Sequence, residues 1–156
     1  MKWRRLNGQK IDIPIVEAVR QTIERETANG HRLKVYIGSD SQMRSNAVEF
    51  ATVIVFHNKK KGGFMFISNS KVNKTMGLRE RMITEVAKSI EVAYSLCDLL
   101  DKHNVALEVH ADINTDPHFK SNVALKEAMG YILGMGFVFK AKPGAFASSS
   151  CADKMV

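Results

Sequence analysis

The sequence predicts an α/β protein built on one mixed β-sheet, and three observations carry that reading. Residues 33–70 hold three runs rich in β-branched and aromatic residues, with polar breaks between them. Residues 78–100 then switch to an apolar period of 3.6. After them a strand, a helix, a strand and a terminal helix alternate, the pattern of a sheet that carries helices on its faces. With 156 residues the chain suffices for one hydrophobic core, so a single domain over 1–156 is expected, with an N-terminal arm and helix at about 1–30.

The first ten residues contain Lys2, Trp3, Arg4, Arg5 and Lys10 and read as an extended basic arm or an edge strand. Asp12 is placed to cap a helix starting near Pro14, with Ile15, Val16, Val19 and Ile23 at helical spacing until Asn29-Gly30 ends it. Leu33–Asp40 (LKVYIGSD) reads as a strand closed by a Gly-Ser-Asp break, which delivers Asp40 at its end. Val48–His57 and Gly63–Ser70 follow as strands joined by a polar link of hairpin length, and the three make an antiparallel meander.

Leu78 to about Leu100 is the longest helix, with Met82, Val86, Ile90, Ala93 and Cys97 on one stripe and Ile83, Ala87 and Tyr94 beside it. Val105–Ile113 (VALEVHADI) is a strand that again ends on an aspartate, Asp112. A helix is expected over Ser121–Leu133, then a last strand, FVFKAKP, stopped by Pro143. The remainder, GAFASSSCADKMV, reads as a turn and at most two helical turns, where Ser150 and Asp153 resemble a capping box.

Composition narrows the partners. Twenty-three Lys and Arg against sixteen Asp and Glu give a net charge of +7, which favours polyanions such as nucleic acid. Cys97 and Cys151 stand far apart with no CxxC pair and no His partner at zinc-ligand spacing, so neither a disulfide scaffold nor a structural zinc site is suggested. The N-terminus lacks the apolar stretch of a signal peptide, and no apolar run approaches the roughly 20 residues of a membrane span, so the cytoplasm is the expected location.

Two strands from separate parts of the chain thus finish on aspartates, and neighbouring strands would bring Asp40 and Asp112 together. Carboxylate oxygens are the ligands that Mg²⁺ and Mn²⁺ prefer, and such ions offset the repulsion within an acidic cluster. Of the acids on the long helix, Glu85 lies beside the buried stripe and is best placed to reach the sheet, while Asp153 follows the last strand and supplies a fourth candidate. Each has a plainer reading: Asp40 and Asp112 as turn formers, Glu85 as a solvated partner of Arg81 or Lys88, Asp153 as a helix cap. His110 faces the same side of its strand as Asp112 and reads as a hydrogen-bonded structural histidine behind the site. No G-x-S-x-G elbow accompanies Ser148–Ser150, which argues against a serine nucleophile. Lys59, Lys60, Lys61, Lys71, Lys74, Arg79 and Arg81 set seven cations against the single acid Glu80, either a solubilising surface or a track for backbone phosphates.

The order of these elements, with Asp40 in IGSDSQ, Glu85 in the helix after the third strand, Asp112 in HADIN and Asp153 in ASSSCADK, resembles the ribonuclease H-like superfamily. IGSDSQ, HADIN and KPGAFASSSCADK look most like a bacterial ribonuclease H-like family of unknown function predicted to be nucleases. The resemblance covers nearly all of residues 33–156 and implies a five-stranded mixed sheet, three antiparallel strands followed by two parallel ones. It further implies that Asp40, Glu85, Asp112 and Asp153 are the metal-binding catalytic acids. Superfamily membership does not choose a reaction, since it takes in nucleases, resolvases, transposases and proofreading domains.

The expected function is hydrolysis of phosphodiester bonds in RNA, DNA or RNA–DNA hybrid by two Mg²⁺ or Mn²⁺ ions. The alternative is a non-catalytic nucleic-acid-binding module of the same fold. A phosphotransferase of the related actin-like architecture fits less well, because no glycine-rich phosphate loop is present.

Overall fold

The computed structural model describes residues 1–114, 130, 134, 137–142 and 144–156, with backbone alone for 112–114, 139, 141 and 142. The elements are β1 (Trp3–Arg5), β2 (Lys10–Ile11), α1 (Ile15–Ala28), β3 (Leu33–Arg44), β4 (Ala47–Asn58), β5 (Gly62–Val72), α2 (Leu78–Lys102), β6 (Ala106–Asn114) and β7 (Val138–Lys142), closed by a helical segment over 147–155. The strands form one sheet in the order β2-β1-β5-β4-β3-β6-β7. Its five central strands follow the expected plan, antiparallel through β5, β4 and β3 and parallel through β3, β6 and β7. Among the described residues seven strands replace the expected five, because the basic arm folds back as a β1–β2 ribbon and pairs with β5.

Alternation along β3 divides the sheet. Val35 and Ile37, with Ile54, Phe56 and Phe66 across from them, meet Val19 and Ile23 of α1 and Val86, Ile90, Ala93, Leu96 and Leu100 of α2. Burying each such side chain contributes about 1.5–3 kcal/mol, so this face holds the main core. On the opposite face Tyr36, Val53, Val55 and Ile67 take up Ala147, Ala152 and Met155 of the terminal segment.

Several boundaries differ from the sequence reading. β3 runs four residues past Asp40, because Asp40 through Arg44 pair residue for residue with Ala51 through Ala47. Gly-Ser-Asp is therefore strand, and the hairpin turns at Ser45, whose φ is 54°. Asp12 makes no cap, since α1 begins behind Pro14 with no side-chain cap bond. Nor do Ser150 and Asp153 form a capping box: the hydroxyls of Ser148 and Ser149 donate to the Ala145 carbonyl instead. On α2 the expected stripe of Met82, Val86, Ile90 and Ala93 is buried, but the buried face extends over Glu85, Ser89, Val92 and Leu96, which leaves Tyr94 exposed. The helix expected over 121–133 falls, apart from Gly130, outside the described residues.

Gly38 permits the second face to close. A Cβ there would stand 2.5 Å from the Ala147 carbonyl carbon and 2.5 Å from the Ser148 nitrogen, inside van der Waals contact with backbone that cannot swing aside. Gly38→Ala is expected to lift the terminal segment from the sheet and cost about 1–3 kcal/mol in urea unfolding. A loss below about 0.5 kcal/mol, the range of an ordinary surface change, would show that the segment does not rest on Gly38.

Candidate functional site

Asp40 lies on the face of β3 shared with Gly38 and Tyr36, where the terminal segment packs. Ser39 and Ser41 point the other way, into α2. There the Ser39 hydroxyl donates to Thr52 Oγ1 at 2.9 Å and meets the Ser89 hydroxyl at 2.8 Å. The Ser41 hydroxyl donates to Glu85 Oε1 at 2.6 Å, and the Ser41 N–H donates to Asp40 Oδ1 at 2.9 Å. One residue therefore serves both carboxylates, each of them buried, with Asp40 6% and Glu85 3% exposed. Arg81, one turn before Glu85, donates from Nε to Ser41 Oγ at 3.0 Å and from Nη2 to the Ser41 carbonyl at 2.9 Å. A buried ionised carboxylate costs several kcal/mol unless it is paired or hydrogen-bonded, and Ser41 with Arg81 provides part of that compensation.

Asp112 follows the last parallel pair between β3 and β6, Ser39 with Ala111, and so stands level with Asp40 on the neighbouring strand. The β6–β7 register shifts between His110 and Asn114: four steps along β6 match two along β7, from Lys140 to Lys142. Asp112 thus falls within a bulged stretch, the kind of irregularity that re-aims side chains beside active sites. Asp153 begins the last turn, Asp153–Met155, is exposed, and lies on the same side of the sheet as Asp40. Among the described residues, which do not include the Asp112 side chain, no group of three or more His, Cys, Asp or Glu is arranged to hold a metal ion.

The seven basic residues do not form one track. Lys59, Lys60 and Lys61 cap the β4–β5 hairpin, seven residues along β4 from Ala51, the partner of Asp40, or about 24 Å at 3.4 Å per residue. Lys71, Lys74, Arg79 and Arg81 lie toward the Asp40 end. Lys74 pairs with Glu80 at 3.0 Å and Arg81 is held by Ser41, while Arg79 is exposed at the start of α2.

His110 fastens the terminal segment. The Ala147 N–H donates to Nδ1 at 3.1 Å, so Nδ1 carries no proton, and Nε2 faces Glu108 Oε2 at 3.4 Å. Tyr36 and Phe146 enclose the ring at centroid distances of 5.1 and 4.9 Å. Burial lowers the histidine's pKa below its ordinary value, opposed by Glu108 and assisted by the cations Lys140 and Lys34. The structural role read from sequence for His110 is the one its bonds describe. The serines on β3 and α2 were not singled out from sequence, although Ser39 and Ser41 are two apart on a strand and Glu85 and Ser89 four apart on a helix, the spacings that place each pair on one face.

Because the folded value of His110 lies below the unfolded one, the unfolded chain binds more protons between the two, and stability rises with pH through that window. The contribution is present above the ordinary value of about 6.5 and is lost as pH falls below it. Without added metal, the urea midpoint is expected to drop from pH 7 to pH 5. His110→Asn, whose amide oxygen replaces the Nδ1 acceptor without titrating, should flatten that dependence, and an unchanged slope in this variant would remove His110 as its source.

Over 154 residues the chain is 27% identical to YkuK of Bacillus subtilis (strain 168), an uncharacterized protein, across 90% of this chain and 87% of YkuK. Among solved structures it is similar to LC11-RNase H1 in complex with RNA/DNA hybrid, at 18% identity and a TM-score of 0.43, over 79% of this chain and 94% of that one. RNase H1 from the halophilic archaeon Halobacterium salinarum NRC-1 is similar at 15% identity and a TM-score of 0.40, over 80% and 99%. The model of the family described as Ribonuclease H-like matches residues 14–156. The chain belongs to the ribonuclease H-like family.

Proposed function

We propose that this protein is a divalent-metal-dependent nuclease that hydrolyses phosphodiester bonds in RNA, DNA or RNA–DNA hybrid. The observation that supports this most is the placement of two buried carboxylates, Asp40 and Glu85, on one serine, with Asp112 level with Asp40 on the adjacent parallel strand. The donors are oxygens, which suits Mg²⁺ or Mn²⁺ and not a soft metal. Asp40, Glu85, Asp112 and Asp153 would hold two such ions, which when bound supply an activated water and neutralise charge at the attacked phosphorus.

The chain's own residues do the rest. Ser41 fixes the orientation of both Asp40 and Glu85, and Arg81 fixes Ser41. His110 and Gly38 seat the segment that carries Asp153 on the face where Asp40 lies. Lys71, Lys74 and Arg79 stand at that end of the sheet, where a phosphate backbone would approach. Membership of the family and the net charge of +7 favour a nucleic-acid substrate. No helix among the described residues is long and apolar enough to cross a membrane.

Cleavage with Mn²⁺ of hybrid, single-stranded and branched substrates tests the reading. Asp40→Asn is expected to remove activity beyond detection. Ser41→Ala should reduce it by roughly 10–100-fold, the cost of losing a partner that orients a ligand. Binding of all three substrates without cleavage of any by the wild type would make the protein a binding module and end the catalytic reading.

A further inference from the structure

We propose that the β1–β2 ribbon is a second nucleic-acid contact, in which Lys2, Arg4 and Lys10 hold a backbone phosphate of the substrate. The proposal rests on the nuclease or binding reading above and adds to it a surface outside the shared family region, which begins at residue 14. Trp3 is buried in the main core and Ile11 packs against it, so alternation turns Arg4 and Lys10 to the opposite face, with Lys2 beside Arg4. That face carries Asp40. Arg4 and Lys10 are direct cross-strand partners, and like charges in that arrangement are destabilising. None of the three cations makes an ion pair with a carboxylate among the described residues. An anion between them would relieve the repulsion.

The three line a concavity of about 710 Å³ together with Asn69, Ile67, Trp3 and one carboxylate, Asp12. Asn69 accepts from Arg4 Nη2 at 3.0 Å and pairs through the sheet with Ala51, which pairs with Asp40. Two strand spacings separate Asn69 from Asp40, about 10 Å, or about three base-pair rises of 3.4 Å. A polymer with a charge at every step spans that distance, whereas a single small anion does not. The cations therefore suit a nucleic-acid backbone whose scissile bond lies at Asp40.

Fluorescence anisotropy of labelled RNA–DNA hybrid, duplex DNA and single-stranded DNA, in EDTA to prevent cutting, tests the ribbon. Lys2→Ala with Lys10→Ala should weaken binding roughly 10-fold and make the slope of log K against log salt shallower by about 2. Arg32→Ala with Lys102→Ala, which removes equal charge elsewhere on the surface, should change Kd less than about 2-fold. Trp3 is the sole tryptophan, so its emission should respond to titrated nucleic acid in the wild type and not in the double variant, and an unchanged emission of the free variant shows the ribbon still docked. Wild-type binding with an unaltered Kd and slope in Lys2→Ala with Lys10→Ala overturns the ribbon proposal and leaves the nucleic-acid reading standing. If the wild type binds none of the probes at 50 mM salt, both fall.

Discussion

A backbone segment can rest on a β-sheet at contact distance only where the sheet presents no side chain. In this protein that place is Gly38, with Ala147 and Ser148 directly over it. The contact decides how the second face of the sheet closes. From it the terminal segment crosses to β5, where the Asn69 amide donates to the Met155 carbonyl at 2.8 Å. It also brings the Ala147 N–H onto His110, so a buried imidazole and a missing Cβ fix one chain position between them. Without that seat, Tyr36, Val53 and Ile67 would face solvent and Asp153 would have no defined place.

The first face solves a different problem. Helix α2 brings Glu85 and Ser89 up against a core of apolar side chains, and β3 answers with Ser39 and Ser41. A polar strip inside an apolar core is tolerated only when its members satisfy one another. Ser39, Thr52 and Ser89 do so, and Ser41 continues the strip to the two carboxylates. The side of the sheet that gives stability thereby also orients Asp40, whose own side chain faces the other way.

Much of this was legible in the sequence, and the reasons are specific. The long strands announced themselves as runs of eight to ten β-branched, aromatic and other apolar residues, and α2 through its 3.6-residue period over 78–100. The matching aspartates of YIGSD and EVHAD pointed to adjacent strands, and their register agrees. What failed were local signals with two meanings. Gly38-Ser39-Asp40 carries turn chemistry, yet the glycine is there for a close approach and the two polar residues for pairing and burial, none of which can be seen until α2 and the terminal segment are in place. The bulge in β6 depends on how β7 pairs with it. The seven cations looked continuous because sequence distance hides the reversal of a hairpin, which carries Lys59–Lys61 to one end of the sheet and Lys71 to the other.

The ribbon that adds two strands to the sheet has a consequence for solubility. β5 would otherwise end the sheet with Phe64, Met65, Phe66 and Ile67 along an unpaired row of N–H and C=O groups, a template for pairing with another chain. Arg4 and Arg5 pair with Ile67 and Phe66 at the centre of that row, and the outermost strand becomes the two residues Lys10 and Ile11. A short, cationic border replaces a long apolar one, so the arm that meets the solvent as a basic surface also keeps the sheet from growing by recruiting another molecule.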